Sequence, residues 1–397
     1  MEFIAIKNKE AAGQCNIIKS RLIIKNYTLK ASLIQTREVF FCKNNPWGGL
    51  FWILEYDNIH KDKARRKIMH IPENYLSPAT CAVMTAAAIP AWGYSIKKVS
   101  KEITKDKMPL LGIFAAFSFV AMMFNIPIVG GSTGHAVGGT LIAILLGPEA
   151  ACLSVSVTLI LQALLFGDGG VLAIGANCFN MAFVLPFVGY AVYNLITRKI
   201  KNKNGKFIGA AVGSYVGINC AALCAAVEFG IQPLLFKSAD GQALYCPYGL
   251  NVSIPAMMAE HLTLFGLAEA IFTVAMLAFV EKTSPEIMAK QPRTKKGNTF
   301  IGGLLAVLTL ATPIGLLATG TAWGEWGTDE MTDLVGYIPK GLANGPLSTF
   351  EAICPDYSIG GLPEWVGYIL CAVIGIALST ILFKLVSTFM KSKVNYD

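Results

Sequence analysis

Runs of apolar residues, most of them near the ~20 that a membrane-crossing helix needs, dominate the chain after residue 75. Nine are legible: 76–96, 108–128, 131–146, 148–166, 171–196, 207–235, 259–280, 299–319 and 364–386. The third, GGSTGHAVGGTLIAIL, is short and glycine-rich, and Gly147-Pro148 ends it abruptly. Irregular backbone is tolerated at membrane depth only when it is buried in protein or lines a cavity. The pattern therefore places 131–146 inside the bundle.

The polar positions set an orientation. The basic connections are Lys97–Lys107, Arg198–Lys206, Lys290–Lys296 and the tail after Lys391. With nine spans and the start of the hydrophobic body outside, all four face the cytoplasm, as the positive-inside tendency favours. Merging 131–146 with 148–166 would put Arg198–Lys206 outside, so the two are kept apart. Residues 282–298 read as a basic cytoplasmic linker. Behind it lie two spans joined by a long outer loop, 320–363, a two-span module following a seven-span one.

Composition agrees. The 397 residues are 54% hydrophobic and 15% charged, with mean hydropathy +0.53. Soluble chains carry roughly 25% charged residues, so this chain cannot cover a soluble globule. It is also too apolar for disorder. The fold class is all-α, a polytopic membrane helical bundle. Residues 1–68 hold 13 Lys+Arg against 6 Asp+Glu, and 69–397 hold 20 against 19, so nearly all of the net +8 sits in a basic, non-spanning first segment. The charge carries no nucleic-acid signal. The ten cysteines are dispersed, with no C-x-x-C and no zinc spacing. Cys246 and Cys354 fall in polar connections and are the pair that a disulfide could join.

Only four histidines occur: His60, His70, His135 and His261. His70 follows Met69, where the hydrophobic body begins. If translation starts at Met69, its amine, the His70 amide nitrogen and His70 Nδ1 can occupy three corners of a square around one metal. Nitrogen squares suit Ni(II) or Cu(II), and Co(II) less strongly. The bland reading is a helix-leading dipeptide. His135 stands in GGSTGHAVGG, where glycines let backbone approach a ligand or a neighbouring helix. Ser132 and Thr133 can orient its ring through the second nitrogen. Tight helix packing around a satisfied histidine explains the same pattern. His261 can be an interfacial polar residue or a ligand. Glu149 follows Pro148 at a helix start, where the helix dipole explains a carboxylate. Asp168 in FGDGG, with Asn177 and Asn180 in GANCFNMAF, can supply outer-face charge and supporting hydrogen bonds, or helix-helix contacts. Glu228 and Glu269 receive no role. The chain lacks G-x-x-x-x-G-K-[ST] and H-E-x-x-H, so it offers no route to ATP hydrolysis by a phosphate loop and no zinc-protease motif.

Three stretches, MHIPENYLSPATCAVMTAAAIPAWG, STGHAVGGTLIAILLGPEAA and FGDGGVLAIGANCFNMAFVLPFVGY, resemble the CbiM/NikM family, the substrate-binding membrane components of energy-coupling-factor transporters for cobalt and nickel. The resemblance covers about 69–281 and implies seven spans with an outside N-terminus. It also implies a metal held by an N-terminal amine, the amide and imidazole of the next histidine, and a second histidine: here Met69, His70 and His135. Ser132, Thr133, Asp168 and Asn177 are then the supporting residues. Residues 299–397 resemble the two-span tail fused to some members and related to CbiN. The usual Pro-Asp-Gly-Leu-Glu signature appears loosely, as Pro355-Asp356 and then Gly361-Leu362-Pro363-Glu364.

The implied protein is no enzyme and needs no cofactor or catalytic residue. It captures Co2+, with Ni2+ the alternative. The fused tail and the motif wording lean towards cobalt. Its partners are an ATPase subunit, a coupling transmembrane subunit and the lipid bilayer, with no nucleic acid. Its location is the bacterial inner membrane, multi-pass, metal site outside. The rivals are an intramembrane metalloenzyme, which would need an acid/base constellation not found here, and a non-transporting metal sensor. Residues 1–68 are the departure, because a preceding peptide would remove the free amine. They read as translated upstream sequence: Arg65-Arg66 can be encoded AGG-AGG, a ribosome-binding sequence just before Met69.

Overall fold

The computed structural model describes residues 2–12, 15–25, 35–42, 70–103, 105, 108–128, 132–288, 295–318, 322–324, 326 and 328–389. The chain divides into two compact units, Met1–Ala64 and Arg65–Asp397. In the first, β1 (Glu2–Ala12), β2 (Cys15–Lys25) and β3 (Gln35–Cys42) pair antiparallel in that order. Sequence reading gave that segment charge but no strands.

The second unit is a helical membrane bundle. Seven helices are long and apolar enough to span: α1 (Pro78–Glu102), α4 (Pro148–Phe166), α5 (Ile174–Lys199), α6 (Asn204–Leu235), α7 (Leu250–Thr283), α8 (Thr299–Leu317) and α9 (Glu364–Phe389). Two shorter apolar helices complete the nine expected segments among the described residues: α2 (Met108–Met122) and α3 (Gly139–Leu146). The second and third expected spans are thus helical over only part of their length. The chain leaves α2 at Met123, forms the short pair β4 (Ile126–Pro127) and β5 (Thr133–Gly134), and re-enters a helix only at Gly139.

Local chemistry sets these boundaries. Ser77 Oγ accepts the Thr80 amide at 3.0 Å and Pro78 takes the first turn, together starting α1. Gly147, at φ +99, ends α3, and Pro148 begins α4. Thirteen of the fifteen α2 residues are buried, so α2 is a central post. It packs on α4 and on α9 from the tail, where a side chain on Gly112 would strike the Thr380 backbone. Small residues bring α5 and α6 equally close, since a Cβ on Gly213 would meet the Gly189 carbonyl.

Lys98 of α1 pairs with Glu149 at 3.5 Å, Ser387 Oγ donates to the Lys105 carbonyl, and Lys206 pairs with Glu281 at 3.1 Å. Helix alternation then places the described basic connections, 97–103 and 198–206, at one end of the bundle and the 70–77, 132–138 and 167–173 segments at the other. No disulfide joins Cys246 to Cys354. Both are free thiols, because Cys246 packs with Tyr75 and Phe229 while Cys354 packs beside Phe166 and Tyr357.

Candidate metal centre

Residues 70–77 are tied into the bundle by polar contacts. The Asn177 amide grips Ile71 at two points, accepting its N–H at 3.1 Å and donating to its carbonyl at 3.3 Å. The Gly170 amide donates to the same carbonyl at 2.9 Å. A Cβ on Gly170 would clash with the Glu73 backbone. Gly169 adopts φ +97 beside His70. The FGDGG turn is therefore built from glycine because the 70–73 backbone lies against it. Glu73 accepts the Val171 and Leu172 amides at 2.6 and 3.3 Å. Burial raises its carboxyl above the usual range, and these bonds pull it partly back.

His70 is 3% exposed. Its Nε2 lies 3.2 Å from Gln162 Oε1 and 4.0 Å from Asp168 Oδ2. Its Nδ1 is buried and makes no hydrogen bond among the described residues. The His135 ring stands edge-on to it, with centroids 5.2 Å apart and planes at 89°. His135 Nδ1 is 3.3 Å from the Ala136 carbonyl. That geometry favours the proton on Nδ1.

The extended 132–138 stretch is buried in protein, as its sequence requires. Glu269 accepts the Val137 amide at 2.7 Å and the Gly138 amide at 3.0 Å, and Ser118 Oγ donates to the Val137 carbonyl. Glu269 thus satisfies backbone donors that no helix serves. In Glu269→Ala each orphaned amide costs roughly 1–3 kcal/mol. The expected outcome is a clear drop in melting temperature in detergent together with weakened metal binding. An unchanged melting temperature would show that the carboxylate does not hold the loop.

A cavity of ≈ 100 Å³ opens beside the pair, lined among others by His70, His135, Asn180, Glu260, His261 and Trp323. Two π-helical turns, Cys178–Val184 and His261–Phe265, contribute to its wall, and a third, Gln162–Phe166, touches His70. A π-turn offsets side chains from the α-helical register and is frequent at functional sites. Here the three present Gln162 to His70, and Asn180, Met181, His261 and Phe265 to the cavity.

The structure brings together His70, His135, Asp168 and Asn177. Thr133 lines the cavity beside them, while Ser132 is outside its wall. Met69 lies outside the described residues. His261, ambiguous in sequence, faces the same cavity, and its Nδ1 meets the Met257 carbonyl at 2.9 Å. Sequence reading missed Gln162, Glu269 and Tyr357. Tyr357 O–H donates to Asp168 Oδ2 at 2.6 Å, and Gln162 Nε2 donates to the Tyr357 oxygen at 3.0 Å. Polarity inside an apolar run could have flagged Gln162 and Glu269. Among the described residues no three His, Cys, Asp or Glu side chains come together as a metal site, so two facing imidazoles need further donors, such as backbone nitrogen.

A multi-pass helical bundle with a buried, facing histidine pair has the form of a membrane metal-handling protein. Comparison with known proteins makes the class definite: this is a component of cobalt/nickel transport. The family described as the cobalt uptake substrate-specific transmembrane region, CbiM, matches residues 70–287, and the PDGLE domain matches 297–392. The chain belongs to the CbiM family and carries a fused PDGLE domain. It is 47% identical over 324 residues to the probable fused nickel transport protein LarMN of Lactiplantibacillus plantarum, covering 80% of this chain and 97% of that one. It is 45% identical over 332 residues to the fused nickel transport protein NikMN of Rhodobacter capsulatus, covering 78% and 94%. A crystal structure described as a truncated transition metal transporter is similar with TM-score 0.51 and 55% identity, covering 54% of this chain and 99% of that one.

Proposed function

We propose that this chain is the metal-capture subunit of an energy-coupling importer for Ni2+, with Co2+ the second candidate. The ion is taken from outside at the end of the bundle that holds His70 and His135. The carrying observation is the buried His70 Nδ1 without a hydrogen bond among the described residues, its ring 5.2 Å from that of His135. A buried lone pair without a donor is costly, and a cation relieves that cost. The Met69 amine, the His70 amide nitrogen, His70 Nδ1 and His135 make up the donor set. The amine and the amide must lose protons to bind and both imidazoles must be unprotonated, so affinity falls as pH falls. Residues 69–281 form the capture domain, 282–298 a cytoplasmic linker and 299–397 the tail module.

This reading needs Met69 to be a chain start. The family match begins at residue 70, and LarMN is matched over 97% of its length by 80% of this chain, which supports translation from Met69. The tail leaned the sequence reading towards cobalt. The two relatives sharing the fused architecture are named for nickel, and a nitrogen square holds Ni(II) more tightly than Co(II), so nickel comes first. A separate ATPase and a coupling membrane subunit drive release into the cytoplasm, and the protein sits in the inner membrane. Competitive uptake in cells expressing this chain with such partners tests the proposal. The expected result is nickel accumulation that excess cobalt reduces little and that vanishes without the ATPase. Cobalt accumulation unaffected by excess nickel would reverse the order of the ions, and uptake without the ATPase would refute the energy-coupling reading.

A further inference from the structure

Besides Trp323, which lines the cavity, the tail module reaches His70 through a chain of hydrogen bonds that starts at one side chain. Tyr357 sits in the outer loop between α8 and α9, in the single turn Pro355–Tyr357. Asp356 and Tyr357 have φ of +54 and +56, a region that glycine occupies freely and a β-substituted residue at a cost. Strain of this kind persists only where the surroundings over-determine it. Here the Tyr357 ring stacks on Phe166, with centroids 4.9 Å apart, and meets Tyr368 edge-on. Its hydroxyl, at the buried end, joins Asp168 to Gln162.

Each link in this chain of bonds has one polarity. A carboxylate only accepts, so the Tyr357 O–H donates to Asp168. Burial and the neighbouring Asp168 charge push that hydroxyl well above the ordinary tyrosine range, which keeps its proton in place. The tyrosine oxygen then accepts from Gln162 Nε2. That fixes the amide with Oε1 towards His70 Nε2, 3.2 Å away. An amide oxygen also only accepts, so Nε2 carries the ring proton. A neutral imidazole has one such proton, and Nδ1 is left with its lone pair.

We propose that Tyr357 is a positioning residue for the metal site: through Asp168 and Gln162 it locks His70 in the tautomer that presents Nδ1 to the ion. The fused tail thereby takes part in capture, although none of its atoms touches the metal. This inference rests on the proposed function only in assigning Nδ1 to nickel. The tautomer is a property of the metal-free protein.

The test uses the chain from Met69 through the tail, labelled with 15N-histidine. Solid-state NMR separates the two imidazole tautomers by nitrogen shift, and a His70→Ala spectrum identifies the His70 signals among the three histidines, His70, His135 and His261. In the metal-free wild type His70 is expected as a single Nε2-protonated species. Tyr357→Phe keeps the ring stack and removes the hydroxyl. It is expected to give a mixture of tautomers and to weaken nickel binding about 10-fold, the scale of lost support to a ligand. Gln162→Met cuts the chain one link later and should do the same, and adding Tyr357→Phe to it should cost nothing more. If Tyr357→Phe fails to fold, Gln162→Met alone decides. An Nδ1-protonated His70 in the wild type, or a tautomer unchanged in these variants, overturns the proposal. If the tautomer shifts as expected but His70→Ala still binds nickel tightly, the assignment of the metal fails while the hydrogen-bond chain stands.

Discussion

Replacing His70 by alanine is expected to abolish tight nickel binding while the protein still inserts and folds. In the proposed site the side chain supplies one ligand atom, and it makes one side-chain hydrogen bond, to Gln162. The segment itself is held elsewhere, by Asn177 on Ile71, by Val171 and Leu172 on Glu73, and by Gln232 on the Ser77 amide at 3.0 Å. The fold therefore loses little. Loss of a direct ligand exceeds the 10–100-fold that loss of a supporting partner costs, so affinity should fall by more than about 100-fold. His135→Ala should match it. His261→Ala should be mild, because that ring is engaged by the Met257 carbonyl of its own helix. Equilibrium titration of purified protein checks all three. A His70→Ala protein that titrates like wild type would remove the pair from the site.

The second large effect concerns the amine. A gene beginning at the Met69 codon should give a chain that binds nickel at full strength. Met69→Leu in the long gene leaves translation only its upstream start, and the amine becomes a peptide nitrogen. Binding should then be lost although both histidines remain. Intact mass identifies the chain made in each case. A Met69→Leu product that carries residues 1–68 and binds nickel as wild type does would sink the amine chelate.

Much of the bundle was legible because hydropathy over twenty residues is a local signal. The helices at 148–166 and 174–199 fall within a few residues of the runs 148–166 and 171–196. The run 108–128 overshot, since residues after Met122 remain apolar while their backbone turns to meet Thr133 and Gly134. His135 stood out because glycines frame it. The supporting contacts did not. Gln162 and Tyr357 are 195 positions apart, and Glu269 and Val137 are 132 apart. No periodicity in a single chain pairs such residues. Tyr357 was hidden further by its loop, where only the weak Pro355-Asp356 signature drew attention. The sequence left a Cys246–Cys354 disulfide open without favouring it, and tertiary packing keeps both thiols free and apart.

Anomalous scattering from nickel-loaded crystals, recorded on both sides of the nickel absorption edge, tests the central claim most directly. The predicted result is one strong peak within bonding distance of His70 Nδ1, the His70 amide nitrogen and the His135 ring, with the Met69 amine as the fourth donor. A peak elsewhere in the cavity, between Glu260 and His261 for instance, with His70 Nδ1 unbound, would contradict it.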